Sequence, residues 1–353
     1  MGAVRIATIG TSGICEQFCR AVADVEGAQV VASYSRDLGR AHEFGARFGA
    51  TTFFDGLSEL ARSPEIDAVY IASPNGAHAA QAAQMIAGGK HVLVEKALAS
   101  NEREARSVFD AARAADVVAM EALRTLHVPS FRRIEEIVSA DLGQVRLATL
   151  RFAKVTSRIA RLRAGERINI FDPALAGGAL MDIGIYCVEP AVALFGRPAE
   201  VRALGVTAPV PGCEPGDPCS TIDLAGEALL GYGDKVVQVS YGKVCDDVLS
   251  SQVEGEGGTL VWDATSCPVN LRLHRPEGGG QVFRMGEASL EPVPVDVPER
   301  DMACEISDFV SAVRGEAQGL ALRERCERVT LDSLAVMDEI RRQVGVVFPA
   351  DLA

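Results

Sequence analysis

The chain has 353 residues and a formal net charge of −13, a length that calls for two domains and an acidity that repels nucleic-acid phosphates. Its 48% hydrophobic and 24% charged residues describe a globular protein able to bury large cores. Neither an apolar run approaching the ~20 residues of a membrane span nor a secretory leader is evident, so a cytoplasmic protein without a membrane partner is expected. Nine cysteines are scattered without a C-x-x-C pair or zinc-type spacing. Free thiols and no metal site are expected, and a Cys213–Cys219 disulfide is considered but not expected.

In chain order, Val4 to Ile9 form an apolar run that breaks into Gly10-Thr11-Ser12-Gly13 and then a helical pattern from Ile14. A strand, a glycine turn and a helix seat a pyrophosphate at the helix N-terminus, where unpaired N–H groups and the macrodipole attract negative charge. Ser12 and Cys15 stand where a full dinucleotide fingerprint has further glycines, so the match is partial. Gly10, Thr11, Ser12, Gly13 and Ile14 are the expected phosphate-turn residues.

Strand patterns follow at 29–34, 51–53, 67–72, 91–94 and 117–120, separated by helical patterns at 14–25, 39–48, 77–87 and 102–115. Asn101 with Glu104 three residues on reads as the N-cap of the last helix. This alternation predicts a Rossmann-type, doubly wound parallel sheet over residues 1–121, with ligands beyond the carboxyl ends of its strands.

The second strand ends in Ser33-Tyr34-Ser35-Arg36. Where an NAD site keeps an acidic residue for the ribose, Ser35 and Arg36 offer a hydroxyl and a guanidinium suited to a 2′-phosphate. NADP is therefore expected over NAD, although Asp37 follows and Arg36 is also readable as a solvated loop cation. The fourth strand ends in Ser73-Pro74-Asn75-Gly76-Ala77-His78, either a ribose contact or an ordinary turn. The fifth ends in Val94-Glu95-Lys96, and position alone leaves Lys96 equally a solvated or a functional cation.

Beyond residue 121 a helical stretch at 130–139 precedes strand patterns at 145–152, 200–206, 222–230, 236–241, 250–253, 259–262 and 269–273. Turn signals at 231–234 and 255–258 predict antiparallel hairpins, and helices return at 302–313 and 324–344. An α+β domain of mainly antiparallel sheet over 122–353 is expected, its open face pairing subunits into a homodimer or homotetramer. Asp182 and Tyr186 lie four apart and share a helical face. They supply an orienting carboxylate and a proton-donating phenol, or else cap a helix and pack an interface. This segment alone favours the structural alternative.

Together, the glycine turn at 10–13, Ser35-Arg36, Ser73-Pro74-Asn75-x-x-His78, Glu95-Lys96 and the segment from Gly178 to Tyr186 resemble the glucose–fructose oxidoreductase, inositol dehydrogenase and rhizopine-catabolism family, Gfo/Idh/MocA. The resemblance spans nearly the whole chain. The Asp-Ile-Gly-x-Tyr form at 182–186 is most similar to the branch containing dihydrodiol dehydrogenase. The resemblance implies NAD(P)-dependent oxidation or reduction at a carbinol or carbonyl of a sugar, polyol or cyclic diol. It further implies Lys96 at the reacting oxygen, Tyr186 as proton donor and acceptor, and Asp182 holding that pair. A nearby ammonium is expected to lower the Tyr186 phenol toward the operating pH.

Ser73, Pro74, Asn75, His78, Glu95 and Lys96 are the further cofactor candidates, and Arg124, His127 and Asn169 those for the substrate. The chain departs from the family in reading Glu95-Lys96-Ala97 instead of Glu-Lys-Pro, which is expected to loosen Lys96. Leu126 stands where the family has an arginine three residues before a proline, here Pro129, with Arg124 and His127 nearby. A catalytically inactive cofactor-binding sensor on the same fold is the alternative. Intact Lys96, Asp182 and Tyr186 favour the enzyme.

Overall fold

Apolar residues at consecutive positions of the first strand, such as Ile6, Ala7 and Ile9, are all buried, as a strand covered on both faces requires. The computed structural model describes residues 2–214, 216–276 and 289–353. Its first sheet holds β1 (Val4–Ile9), β2 (Ala28–Tyr34), β3 (Thr52–Phe54), β4 (Ala68–Ile71), β5 (His91–Glu95) and β6 (Ala119–Ala122). All pairings are parallel and the order is β3-β2-β1-β4-β5-β6. The crossovers are α1 (Gly13–Val22), α2 (Leu38–Ala46), α3 (Leu57–Arg62), α4 (Asn75–Ala87) and α5 (Glu102–Ala114). Asn101 caps α5 as expected, accepting from the Glu104 N–H. The six-residue α3 has no counterpart in the sequence reading, being too short for its periodicity to stand out.

Strand order reverses between β1 and β4, which opens a crevice at their carboxyl ends. Gly10 lies at that point with φ +123°, and a Cβ there would come within 2.9 Å of the Ala72 carbonyl oxygen. Only glycine fits both the dihedral and the space.

The second sheet holds β7 (Val145–Ala153), β8 (Glu200–Pro209), β9 (Thr221–Gly231), β10 (Val236–Gly242), β11 (Ser251–Gly255), β12 (Gly258–Asp263), β13 (Val269–His274) and β14 (Glu291–Pro292). Its order is β14-β13-β12-β11-β7-β10-β9-β8. The pairings are antiparallel except at the centre, where β7 and β10 run parallel in register from Leu147↔Val236 to Ala153↔Gly242. The mainly antiparallel sheet expected from the sequence is found, with one parallel pair at its middle. The parallel pair brings two strand carboxyl ends to one edge.

Helix α6 (Pro129–Ala140), the short α7 (Ile159–Arg163), a π turn (Leu180–Gly184) and α8 (Ile185–Phe195) complete this half, followed by α9 (Met302–Val313), α10 (Ala317–Val344) and α11 (Pro349–Leu352). The π turn and α8 cover one face of the sheet against β7 and β10. Helix α9 packs back on α1, and α10 on α5, β6 and α8, so the last helices join the two sheets into one core. Contrary to the expectation of no long apolar run, Pro173–Phe195 spans 23 residues and contains an 18-residue window of mean hydropathy 1.5. It is mostly buried inside the protein and carries Asp182 and Glu189, as a core element does. All nine cysteines are free thiols. On the opposite face of the second sheet Leu147, Leu204, Val206, Leu229 and Val236 stand exposed, Leu204 at 84%.

Candidate active site

A cleft of about 810 Å³ lies between the carboxyl edges of the two sheets. From the first sheet, Ser12 and Ile14 follow β1, Ser73, Pro74, Asn75 and His78 follow β4, and Glu95 and Lys96 close β5. From the second half come Asn169, Asp182 and Tyr186. The sequence-derived catalytic trio therefore shares one cavity with most of the expected cofactor residues.

Lys96 is 13% exposed, and its Nζ donates to the Asp182 carbonyl at 2.8 Å and to Asp182 Oδ1 at 3.0 Å. Lys243, the residue after β10, reaches Asp182 Oδ2 at 2.6 Å. One carboxylate thus binds two ammoniums, one from each half. Asp182 sits in the π turn, not in the ordinary helix the i,i+4 reading assumed, and Tyr186 is the second residue of α8 just beyond it. Both still face the cleft. Asp223 of β9 accepts the Leu180 N–H at 2.6 Å and so anchors the turn. A π turn widens the local hydrogen-bond ladder, a distortion often found where a helix must re-aim a side chain.

Lys96 Nζ stands 5.0 Å from the centre of the Tyr186 ring. Burial works against the Lys96 charge, but the neighbouring Asp182 and Glu95 carboxylates favour it, and the ammonium is held above its ordinary range. Burial likewise opposes the Asp182 carboxylate, yet Lys96 and Lys243 bring it down to about 2. For Tyr186 the balance falls the other way: burial raises the phenol, and the pull of Lys96 does not overcome it. The expected lowering toward neutral pH is corrected, because desolvation of the partly buried ring outweighs the pull of the lysine. A protonated phenol and a charged lysine result.

The Ala97 departure does not free Lys96. Ala97 is fully buried, with the Lys96–Ala97 peptide cis. The ring nitrogens of His78 lie 2.9 Å from the Ala97 carbonyl and 2.7 Å from that of Ser73. Glu121 Oε1 accepts the Leu98 N–H at 2.7 Å. The loop is fixed by hydrogen bonds where the resemblance led to the expectation of a proline ring. His78 and Glu95 are buried and brace this corner, Glu95 accepting from the Tyr70 hydroxyl. Asn75 Nδ2 donates to the Ala176 carbonyl at 3.0 Å and ties the halves together.

Gly10, Thr11 and Gly13 form the turn beside Ser12; the Ser12 side chain caps no N–H of α1, and space is open at Gly13. Ser35 and Arg36 lie at the end of β2, outside the main cavity, with Arg36 exposed and making no hydrogen bond or ion pair among the described residues. Arg40, overlooked in the sequence, reaches Thr11 Oγ1 at 3.3 Å. Arg124 lines the cleft but is paired with Asp301 at 3.2 Å. His127 does not line it: the ring is buried with Nδ1 2.9 Å from Asp308 Oδ2, tying its loop to α9. Lys243, Lys154 and Arg158 line the cleft and were missed, because the β7–β10 pairing that brings their strand ends together joins segments far apart in sequence.

Residues 4–123 match the family model described as "Oxidoreductase family, NAD-binding Rossmann fold", and residues 131–261 match the "GFO/IDH/MocA C-terminal domain". The chain is 37% identical over 350 residues to scyllo-inositol 2-dehydrogenase (NADP(+)) IolU of Bacillus subtilis, covering 99% of this chain and 100% of that protein. It is 34% identical over 339 residues to trans-1,2-dihydrobenzene-1,2-diol dehydrogenase of Homo sapiens, covering 92% and 91% of the two. The crystal structure of KijD10, a 3-ketoreductase from Actinomadura kijaniata in complex with NADP, shares the fold with a TM-score of 0.76 at 22% identity, covering 98% of this chain and 99% of that one.

A carboxyl depressed on folding contributes stability that is present above its unfolded pKa and lost as pH falls through the folded one. For Asp182, with a folded value of about 2 against an ordinary 3.8, that window runs from about pH 4 down to about pH 2. Asp182→Asn should lower the melting temperature at neutral pH, and the gap to the native protein should shrink across that window. A gap that stays constant on acidification would contradict the assignment.

Proposed function

The chain belongs to the Gfo/Idh/MocA oxidoreductase family, and on that footing we propose that it interconverts a carbinol and a carbonyl on a polyol or cyclic diol, with NADP preferred over NAD. The observation that carries this reading is the Lys96 ammonium, fixed by Asp182 and placed over Tyr186 at the cleft.

The residues present fit a nicotinamide dinucleotide. Gly10 leaves room for a close backbone approach, and the uncapped N–H groups of α1 suit a pyrophosphate. Arg36, without a partner among the described residues, is available to a 2′-phosphate, and Arg40 reaches the turn at Thr11. When bound, the nicotinamide supplies or takes the hydride. Tyr186, kept protonated by burial, suits proton donation to a carbonyl oxygen as charge builds on it. Lys96, kept charged, stabilises that oxygen, and Asp182 holds Lys96 in place without needing to touch the substrate.

Two experiments test the reading. Purified protein should turn over NADPH or NADP with members of a panel of inositols, sugars and cyclic diols, and Arg36→Ala should weaken NADPH far more than NADH, by about 1.5–3 kcal/mol. Equal loss for both cofactors would remove Arg36 from the 2′-phosphate. The exposed apolar face centred on Leu204 and Leu229 is read as a homo-oligomer interface. Light scattering should therefore give at least twice the 37.4 kDa chain mass, and a monomer at micromolar concentration would refute it.

A further inference from the structure

Five cations line the cleft, and three of them are accounted for. Lys96 and Lys243 share Asp182, and Arg124 pairs with Asp301. Lys154 and Arg158 are different: neither side chain makes a hydrogen bond or ion pair among the described residues. Their own segment shows that partners are available, since Arg161 pairs with Glu166 at 2.7 Å and Arg167 with Asp172 at 2.8 Å. In a chain of net charge −13, two unopposed cations at the mouth of a cleft make a local positive field that draws anions in.

Their position separates them from the cofactor end. Lys154 directly follows β7, its N–H donates to the Gly242 carbonyl at 3.0 Å, and Thr156 N–H donates to the Lys243 carbonyl at 2.9 Å. Lys154 therefore stands beside the Lys243–Asp182–Lys96 row, on the second sheet. Phe152, two residues earlier, meets the Tyr186 ring edge-on at 6.0 Å between centres. Arg158 is set by its N–H to Thr156 Oγ1 at 3.2 Å. The glycine turn and Arg36, where cofactor phosphates fit, belong to the other sheet.

We propose that Lys154 and Arg158 form an anion subsite on the substrate side of the cleft, so that the preferred substrate is a polyol carrying an oxyacid group, a carboxylate or a phosphate. This rests on the reading of the cleft as a polyol oxidoreductase site. Both residues offer charge-assisted hydrogen bonds to such a group, Arg158 in bidentate form. Phe152 and Tyr186, in contact with each other, line the same cleft as that pair and Lys96.

The test uses the full-length protein saturated with NADP and measures binding by calorimetry, which does not depend on turnover. Gluconate and glucose 6-phosphate are compared with glucose, and inositol monophosphate with inositol; the two acid types distinguish carboxylate from phosphate. At least one acid should bind about tenfold or more tightly than its neutral counterpart, a preference that a Lys154→Ala/Arg158→Ala variant abolishes while its NADPH affinity holds. Equal binding of acids and neutral polyols, or a preference that survives the double substitution, overturns the proposal. So does an equal loss of NADPH affinity, which would assign the pair to the cofactor's phosphates. Acid binding without hydride exchange on any polyol would sink the oxidoreductase reading while leaving the subsite in place.

Discussion

One carboxylate joins the two halves of this protein electrostatically at the place where chemistry is expected. Asp182 takes Lys96 from the end of β5 on one oxygen and Lys243 from the end of β10 on the other. Without it, two ammoniums that are 13% and 12% exposed would face each other without the carboxylate they share. Breaking a fully buried pair costs about 3–5 kcal/mol, and Asp182 keeps 30% of its side chain exposed, so screening reduces that figure. This contact aims Lys96 and links the end of β5 to the π turn, which Asp223 anchors from β9.

Around it the site is built of groups held in one protonation state. Lys96 stays charged, Asp182 stays ionised and Tyr186 stays protonated, each because burial and neighbouring charge balance differently. That division of labour suits an oxygen that must receive both a proton and a counter-charge. The support beneath is redundant. His78 and Glu121 hold the loop after Lys96 through the Ala97 carbonyl and the Leu98 N–H, which explains how an alanine replaces the family's proline while Lys96 keeps its place.

The first sheet was legible because its strands are apolar and its helices amphipathic, so two periods separate cleanly between Val4 and Ala122. Lys96, Asp182 and Tyr186 were legible only as a set, since each alone reads as a cap, a solvated cation or a packing ring. Lys243 and Lys154 were not legible. Their importance depends on β7 and β10 running parallel, and that pairing joins segments too distant in sequence for a turn signal to reveal it. The direction of the Tyr186 shift was misjudged for a similar reason: charge proximity shows in the sequence pattern, but depth of burial does not. His127 shows the converse, a residue near the right place in the chain whose side chain turns into the core beside Asp308.

The central claim is that Lys96 and Tyr186 handle the proton as one unit. A double-mutant cycle on single-turnover hydride transfer, with NADPH affinity measured in parallel, tests it most directly. Lys96→Met and Tyr186→Phe should each slow transfer by roughly 10²–10⁴-fold with NADPH binding nearly intact, and the double variant should lose little more than the slower single one. Fully additive losses, or undiminished transfer in Tyr186→Phe, would contradict the account.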